Sequence, residues 1–165
     1  MVKFLNNTSK PVCFKSELIR RHLCNKRVVR GLDFDPIVYR ADRPVLVEVV
    51  NPTCYRYKLY SKILDILSLK KIPIYTFDST RNYIDMPEMQ TECYKIVLFK
   101  DKKAYATADS PSLKNMASLI SENTELSIRL EDRDYVIEDF ILMDTAKRVI
   151  LEEAMNLADL MKNQC

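Results

Sequence analysis

Hydrophobic and polar positions along the chain change between strand-like and helix-like periods in an order typical of α/β proteins. The run Val45–Val50, with the sequence VLVEVV, is almost continuously apolar and β-branched, which predicts a strand covered on both faces. Apolar residues recur at helical spacing over Tyr55–Lys70, and Ile72–Phe77 is a second apolar run. The order strand, helix, strand predicts two parallel strands joined by a right-handed crossover. The predicted fold class is therefore α/β, with Val45–Val50 as the central strand.

Patterns on either side of this unit predict further helices and strands. Some are marked by helical spacing of apolar residues and others by short β-branched or aromatic runs. In chain order, the predictions are a helix over Ser16–Cys24, two strand pieces in Arg27–Tyr39 joined by a bend at Gly31 and Pro36, a hairpin of Tyr94–Phe99 and Ala104–Thr107, short strands near Glu125–Leu130 and Tyr135–Leu142, and an amphipathic helix over Thr145–Lys162.

The predicted C-terminal helix has a broad apolar face. A face of this kind either closes the protein core or docks another chain, and the sequence pattern is the same in both cases. Its members are Ile150, Leu151, Ala154, Leu157, Ala158 and Met161.

Composition narrows the class of protein. A chain of 165 residues with 47% hydrophobic content can bury one sizeable core, so we expect a single domain over residues 1–165. The single glycine, Gly31, excludes glycine-rich phosphate loops and the nucleotide-binding enzymes that depend on them. No stretch approaches the roughly 18 apolar residues of a membrane span, so we expect no membrane insertion.

The five cysteines are odd in number, widely spaced and without a CxxC pair. This pattern indicates neither a zinc site nor a disulfide framework. We therefore expect reduced thiols and an intracellular location in the cytoplasm or nucleus.

The net charge of +3 is too small to argue for nucleic acid, so any such case depends on local clusters of basic residues. Two clusters flank the central strand in the sequence. A solvated helix face explains such clusters as readily as phosphate contacts do. The candidate nucleic-acid contacts are Arg20, Arg21, Arg27, Arg56 and Lys58.

Glu48 is the most unusual residue, because it interrupts an apolar strand and shares a face with Leu46 and Val50. A buried carboxylate needs a cation, a hydrogen-bond partner or a raised pKa. Upstream, Asp33 and Asp35 are two residues apart and can point to one face, where either of them could join Glu48. The alternatives are an ion pair of Glu48 with a nearby arginine, Arg30 or Arg40, and turn chemistry for the two aspartates.

Lys62 follows one turn after Lys58 and borders the apolar stripe of its helix, so it can face inward. Two carboxylates on neighbouring strands and an inward lysine suit hydrolysis of phosphodiesters with Mg²⁺ or Mn²⁺. In that arrangement the carboxylates bind the metal, and the lysine orients water or stabilises charge. A solvated lysine is the alternative.

The sequence from Asp33 to Asp78 resembles the core of PD-(D/E)xK nucleases whose lysine has moved to the helix after the strand. In a bacterial branch of these nucleases, the matching order is an acid, a strand glutamate followed by a proline, a helix lysine and a strand ending in aspartate. The cap-snatching endonucleases of segmented negative-strand RNA viruses add a histidine on an upstream helix. The residues that match, in chain order, are His22, Glu48-Val49-Val50-Asn51-Pro52, Lys62 and Asp78.

This resemblance implies a restriction-endonuclease-like fold, in which a mixed central sheet is flanked by helices. It assigns Mg²⁺ or Mn²⁺ to Glu48, His22 and one of Asp33 and Asp35, and catalysis to Lys62 and Glu48. The histidine is otherwise a core or boundary residue with one hydrogen bond.

Two functions follow as hypotheses. The first is a metal-dependent nuclease acting on RNA or DNA, with the cap-snatching endonuclease domain of a viral polymerase as one form of it. The second is a catalytically inactive module of the same fold that binds nucleic acid or protein, as part of a viral polymerase or a phage assembly reached through the C-terminal helix. The intact spacing of Glu48 and Lys62 favours the first, and the reversed order Asp35-Pro36 favours the second.

Overall fold

The structure is a computed structural model that describes residues 2–5, 11–15, 28–68, 72–107 and 112–164. Within these ranges the chain forms two β-sheets and three α-helices, together with short 3-10 and π-helical turns. The strands are β1 (Val2–Leu5), β2 (Pro11–Lys15), β3 (Val45–Val50), β4 (Ile74–Asp78), β5 (Tyr83–Ile84), β6 (Tyr94–Lys100) and β7 (Lys103–Ala106), and the α-helices are α1 (Tyr55–Ser68), α2 (Leu113–Asn123) and α3 (Asp132–Asn163).

The larger sheet has the strand order β4-β3-β6-β7. β3 is parallel to β4 and antiparallel to β6, and β6 forms an antiparallel hairpin with β7. The predictions of an α/β class, a central strand at Val45–Val50, a parallel neighbour and a hairpin are thereby confirmed. The smaller sheet has the order β1-β2-β5, with antiparallel pairing throughout.

β3 is buried on both faces, and each face has its own core. On one face, the valines at odd positions pack with Phe34, Phe77 and Phe99, whose rings meet edge to face. On the other face, Leu46 and Val50 pack against α1 and α2. The residues that α1 and α2 contribute to this second core include Ile63, Leu64, Leu67, Leu113, Met116 and Ile120.

The segment before β3 differs from the prediction of two strand pieces. Gly31–Asp33 is a 3-10 turn and Asp35–Tyr39 a π-helical turn, and only Val28 pairs with the sheet, through a bridge to Thr76. Proline is compatible with the first turn of a helix, where its missing N–H leaves no carbonyl unpaired. Burial of Phe34 and Val38 on one side of the turn outweighs the β-propensity of the segment.

Helix α3 replaces the predicted strand at Tyr135–Leu142 and extends the predicted C-terminal helix towards the N-terminus. It begins at a reciprocal capping box, in which Glu131 and Asp134 each accept a hydrogen bond from the other's backbone N–H. Residues 125–130 form no strand. The strand predictions here were wrong because the apolar run 135–137 was interpreted without the acidic cap that precedes it.

Two further predictions concern helices at the edges of the described ranges. The predicted helix Ser16–Cys24 lies outside the described residues. The predicted helix Tyr55–Lys70 is confirmed as α1 up to Ser68, and its last two residues lie outside the description.

A disulfide joins Cys54, just before α1, to Cys93, just before β6. The expectation of reduced thiols is wrong for this pair, and the argument from thiols to an intracellular compartment no longer applies. The two cysteines are 39 residues apart and become neighbours only because β6 pairs with β3. No α-helix of the described ranges has the length and apolarity required to cross a membrane.

The hairpin β6–β7 turns through Asp101 and Lys102, whose φ angles are 50° and 60°. This left-handed conformation suits a two-residue hairpin turn, which favours glycine at such positions. The only glycine of the chain, Gly31, lies elsewhere, at a buried position where its N–H donates to Asn82 Oδ1.

We predict that Lys102→Gly raises the free energy of unfolding by about 1 kcal/mol, because glycine adopts positive φ without a steric penalty. Urea denaturation measures the change. Lys103→Gly, one residue later and inside β7, is the control and should be destabilising. Equal effects of the two substitutions would contradict this account of the turn.

We predict that reduction of the Cys54–Cys93 bond lowers the free energy of unfolding by about 2–4 kcal/mol, because the unfolded chain regains the freedom of a long loop. Urea denaturation with and without reductant measures the difference. In the double variant Cys54→Ser, Cys93→Ser the reductant should have no effect, and an equal response of this variant would contradict the assignment.

Candidate functional site

Glu48 lies in the middle of β3, on the face that packs against α1 and α2, as its alternation with Leu46 and Val50 predicts. Its side chain is only 5% exposed. The register places it between Thr76 of β4 and Ile96 of β6. Thr76 Oγ1 donates a long hydrogen bond of 3.4 Å to Glu48 Oε2, and Oε1 is buried without a hydrogen-bond partner. The carboxyl group thus makes fewer hydrogen bonds with the described residues than a buried polar group usually makes.

Burial raises the pKa of Glu48 to about 8, although the hydrogen bond from Thr76 acts in the opposite direction and the charge of Asp65 adds to the rise. The carboxyl group is therefore mainly protonated at neutral pH. The alternative of an ion pair with Arg30 or Arg40 is not realised, because these arginines bind Asp33 and Asp35.

Two tyrosines, Tyr57 and Tyr94, lie near this carboxyl group, and Tyr60 packs on Tyr94. We call Glu48, Thr76, Tyr57, Tyr60 and Tyr94 the Glu48 cluster. The Tyr94 hydroxyl is buried and makes no hydrogen bond with any described residue, and its ring stacks on Tyr60 at a centroid distance of 5.6 Å. Burial raises the pKa of both Tyr94 and Tyr57, and the nearby Glu48 carboxylate raises each further. The raised pKa values of Glu48, Tyr57 and Tyr94 favour the neutral form of each of these three groups.

Asp33 and Asp35 do not join Glu48. The turns that carry them pack through Phe34 and Val38 against the valine face of β3, which is the opposite face from Glu48. Each aspartate instead binds an arginine close in sequence, Asp33 with Arg30 and Asp35 with Arg40. In the described ranges no three His, Cys, Asp or Glu side chains are grouped as a metal site.

Lys62 faces away from the sheet. The residues that α1 contributes to the second core, including Tyr57 and Tyr60, are centred about 150° around the helix from it, at 100° per residue. Lys62 is exposed and lines a cleft of about 300 Å³ between α1 and α3. The expectation that Lys62 looks inward towards Glu48 is therefore wrong, since its position in the apolar stripe is at the margin nearest α3. The other residues that line the cleft are Tyr57, Ser61, Thr145, Arg148, Val149 and Glu152.

The remaining candidates are not positioned by the described residues. His22, Arg20, Arg21 and Arg27 lie outside the described ranges, and Arg56 and Lys58 lie in α1 with side chains outside the description. Their roles in metal or nucleic-acid binding stay predictions. Asp78, the last residue of the resemblance, ends β4 and accepts hydrogen bonds from the backbone and side chain of Thr80, which is turn chemistry.

Thr76 and Tyr94 are neighbours of Glu48 that the sequence pattern does not indicate. Both lie directly or diagonally across from Glu48 in the sheet, so the register had to be known before they could be found. Tyr57 of α1 is also near enough for the charge of Glu48 to raise its pKa.

We predict that Glu48→Gln removes a pH dependence of stability. Since the pKa of Glu48 is about 8 in the folded state and near 4.5 when unfolded, folding takes up a proton between these values. The stability of the native protein should therefore fall as pH rises from 4.5 to 8, by at most about 5 kcal/mol. Urea denaturation at several pH values measures this slope, which should be smaller in Glu48→Gln.

Glu125→Gln, which removes an exposed carboxylate, is the matched control and should follow the wild-type curve. Parallel curves for Glu48→Gln and the wild type would show that the buried carboxyl group does not titrate in this range.

No protein-family model matches the chain, and no curated protein matches it significantly. The resemblance to PD-(D/E)xK nucleases therefore depends on the short motifs between Asp33 and Asp78 alone.

Proposed function

We propose that this chain is a non-catalytic assembly module that binds protein through α3. One observation carries the proposal: many large apolar side chains of α3 face solvent, while three of its four buried side chains are polar. The buried positions of α3 are Asp134, Glu138, Thr145 and Val149. Large apolar residues on the other side are more than half exposed, including Val136, Met143, Ile150 and Leu157, and Phe140 reaches 71%.

Folding of the single chain accounts for the polar side of α3. Glu138 Oε1 accepts a hydrogen bond from the N–H of Leu113, the first residue of α2, and Asp134 belongs to the capping box. It does not account for the apolar side, because every described residue from Ile150 onwards is exposed. Contiguous apolar surface of this extent is typical of protein-binding sites.

The arrangement around the sheet supports a non-catalytic role. Metal-dependent hydrolysis needs ionised carboxylates close enough to share an ion, at metal–oxygen distances of about 2.0–2.6 Å. Glu48 lies on one face of the sheet and Asp33 and Asp35 on the other, each aspartate neutralised by an arginine. A glutamate with a pKa of about 8 must also lose a proton before it binds a cation.

The second candidate is the metal-dependent nuclease, with Mg²⁺ or Mn²⁺ at Glu48 and RNA or DNA as substrate. It is favoured by the buried Oε1 atom of Glu48, which lacks a partner among the described residues. A ligand donated by His22, from the part of the chain outside the description, would complete such a site in this alternative.

We predict that the purified protein cleaves neither single-stranded RNA nor single-stranded DNA with Mn²⁺ or Mg²⁺. We also predict that millimolar Mn²⁺ leaves its melting temperature unchanged. A bound ion would raise the melting temperature, because it would stabilise the native state. Gel assays with labelled oligonucleotides and thermal scans measure the two outcomes. Glu48→Gln is the diagnostic variant, and Glu138→Gln is a control with a buried carboxyl group elsewhere.

Cleavage that is lost in Glu48→Gln but kept in Glu138→Gln would establish the nuclease and overturn the assembly module. Cleavage equal in all three proteins would indicate a contaminating enzyme and leave the proposal standing. Oligonucleotide binding that weakens steeply with salt, without cleavage, would replace protein by nucleic acid as the partner.

A further inference from the structure

The outer face of α3 has the spacing of a coiled-coil seam. Starting at Val136, its residues follow one another at alternating steps of four and three, which is the heptad pattern of core positions. The pattern extends over 26 residues, or about 39 Å of helix. Seven of the eight positions are apolar and the eighth is a lysine. The seam residues are Val136, Phe140, Met143, Lys147, Ile150, Ala154, Leu157 and Met161.

We propose that α3 of a second copy of the chain binds along this seam, in antiparallel orientation. This inference rests on the proposed function, which is protein binding through α3. Aligned about a dyad between Arg148 and Val149, the seam is complementary to itself. The facing pairs combine one large with one smaller side chain in two of the four cases. These pairs are Val136 with Met161, Phe140 with Leu157, Met143 with Ala154, and Lys147 with Ile150.

Charge selects this orientation over a parallel one. In a parallel, in-register pair, Lys147 would face its own copy in the core, and Asp139 would face Asp144 across the flank. In the antiparallel pair, the residue beside the seam that faces Asp139 is Leu160 of the second copy, and the one that faces Asp144 is Leu151 of the second copy. Like charges are thus kept apart only when the two helices are antiparallel.

The fold leaves room for the second helix. The seam is centred about 160° around α3 from the side that contacts the body, at 100° per residue. In the last part of α3, from Ile150 to Asn163, all residues are exposed. An antiparallel partner lies along the full seam, with the two bodies at opposite ends of the helix pair.

We predict a dimer of the full chain, with twice its mass of 19.3 kDa, in sedimentation equilibrium at chain concentrations from about 1 µM to about 1 mM. Leu157→Glu should weaken dimerisation at least about 100-fold, because it places a charge against Phe140 in two symmetric layers. The matched control is Met155→Glu, since Met155 is as exposed as Leu157 (61% and 60%) but lies off the seam. This control should still dimerise.

A monomer at all concentrations, or equal behaviour of the two variants, would overturn the second copy as occupant. Neither result would support the nuclease hypothesis, because only the cleavage assay tests that hypothesis. Circular dichroism of both variants checks that the helix is retained.

Orientation is tested with a spin label at Asn163→Cys, in a chain whose cysteines outside the Cys54–Cys93 bond are replaced by serine. The antiparallel pair puts the two labelled positions about 45 Å apart along the helix axis, whereas a parallel pair puts them about 10–20 Å apart. A pulsed dipolar measurement distinguishes the two. The short distance would overturn the antiparallel arrangement.

Discussion

The burial of β3 on both faces is the constraint on which the rest of the structure depends. Its six residues have no solvent-facing side, so each neighbouring element must supply an apolar surface or a compensating group. The phenylalanine core satisfies this demand on one face, and α1 with α2 satisfies it on the other. Glu48 is the one position where the demand is met by protonation instead of by an apolar side chain.

The same constraint keeps the acidic residues apart. Side chains along a strand alternate between faces, so the segment that covers the valines of β3 cannot also reach Glu48. Asp33 and Asp35 belong to that covering segment and are compensated locally by arginines. What looks like a carboxylate cluster along the sequence is therefore divided by the sheet into one buried acid and two ion pairs.

Sequence patterns predicted the elements whose neighbours determine them strongly. The continuous apolar run of β3, the helical spacing of α1 and the hairpin were all recognisable, because burial imposes their periodicity. The turns at 31–39 and the start of α3 were not, since both contain β-branched residues whose local preference is overridden by packing or by a cap.

The Glu48 site shows the same limit. Its anomaly was visible within β3, but Thr76 and Tyr94 became its neighbours through strand register, and Lys62 turned towards α3 through helix phase. The Cys54–Cys93 bond likewise depends on pairing of β3 with β6. Contacts between distant segments carry no signature in a single sequence when each segment satisfies its own pattern.

That bond also changes how the protein would carry tension. It closes a covalent ring around α1, β4 and β5, so a force pulling on the two ends of the chain passes from Cys54 to Cys93 directly. The 38 residues between the two cysteines carry no tension, and about 130 Å of extended chain is withheld when the oxidised protein is stretched. Two tyrosines of the Glu48 cluster lie close to the bond that bears this force. Tyr57 is inside the covalent ring, and Tyr94 directly follows Cys93.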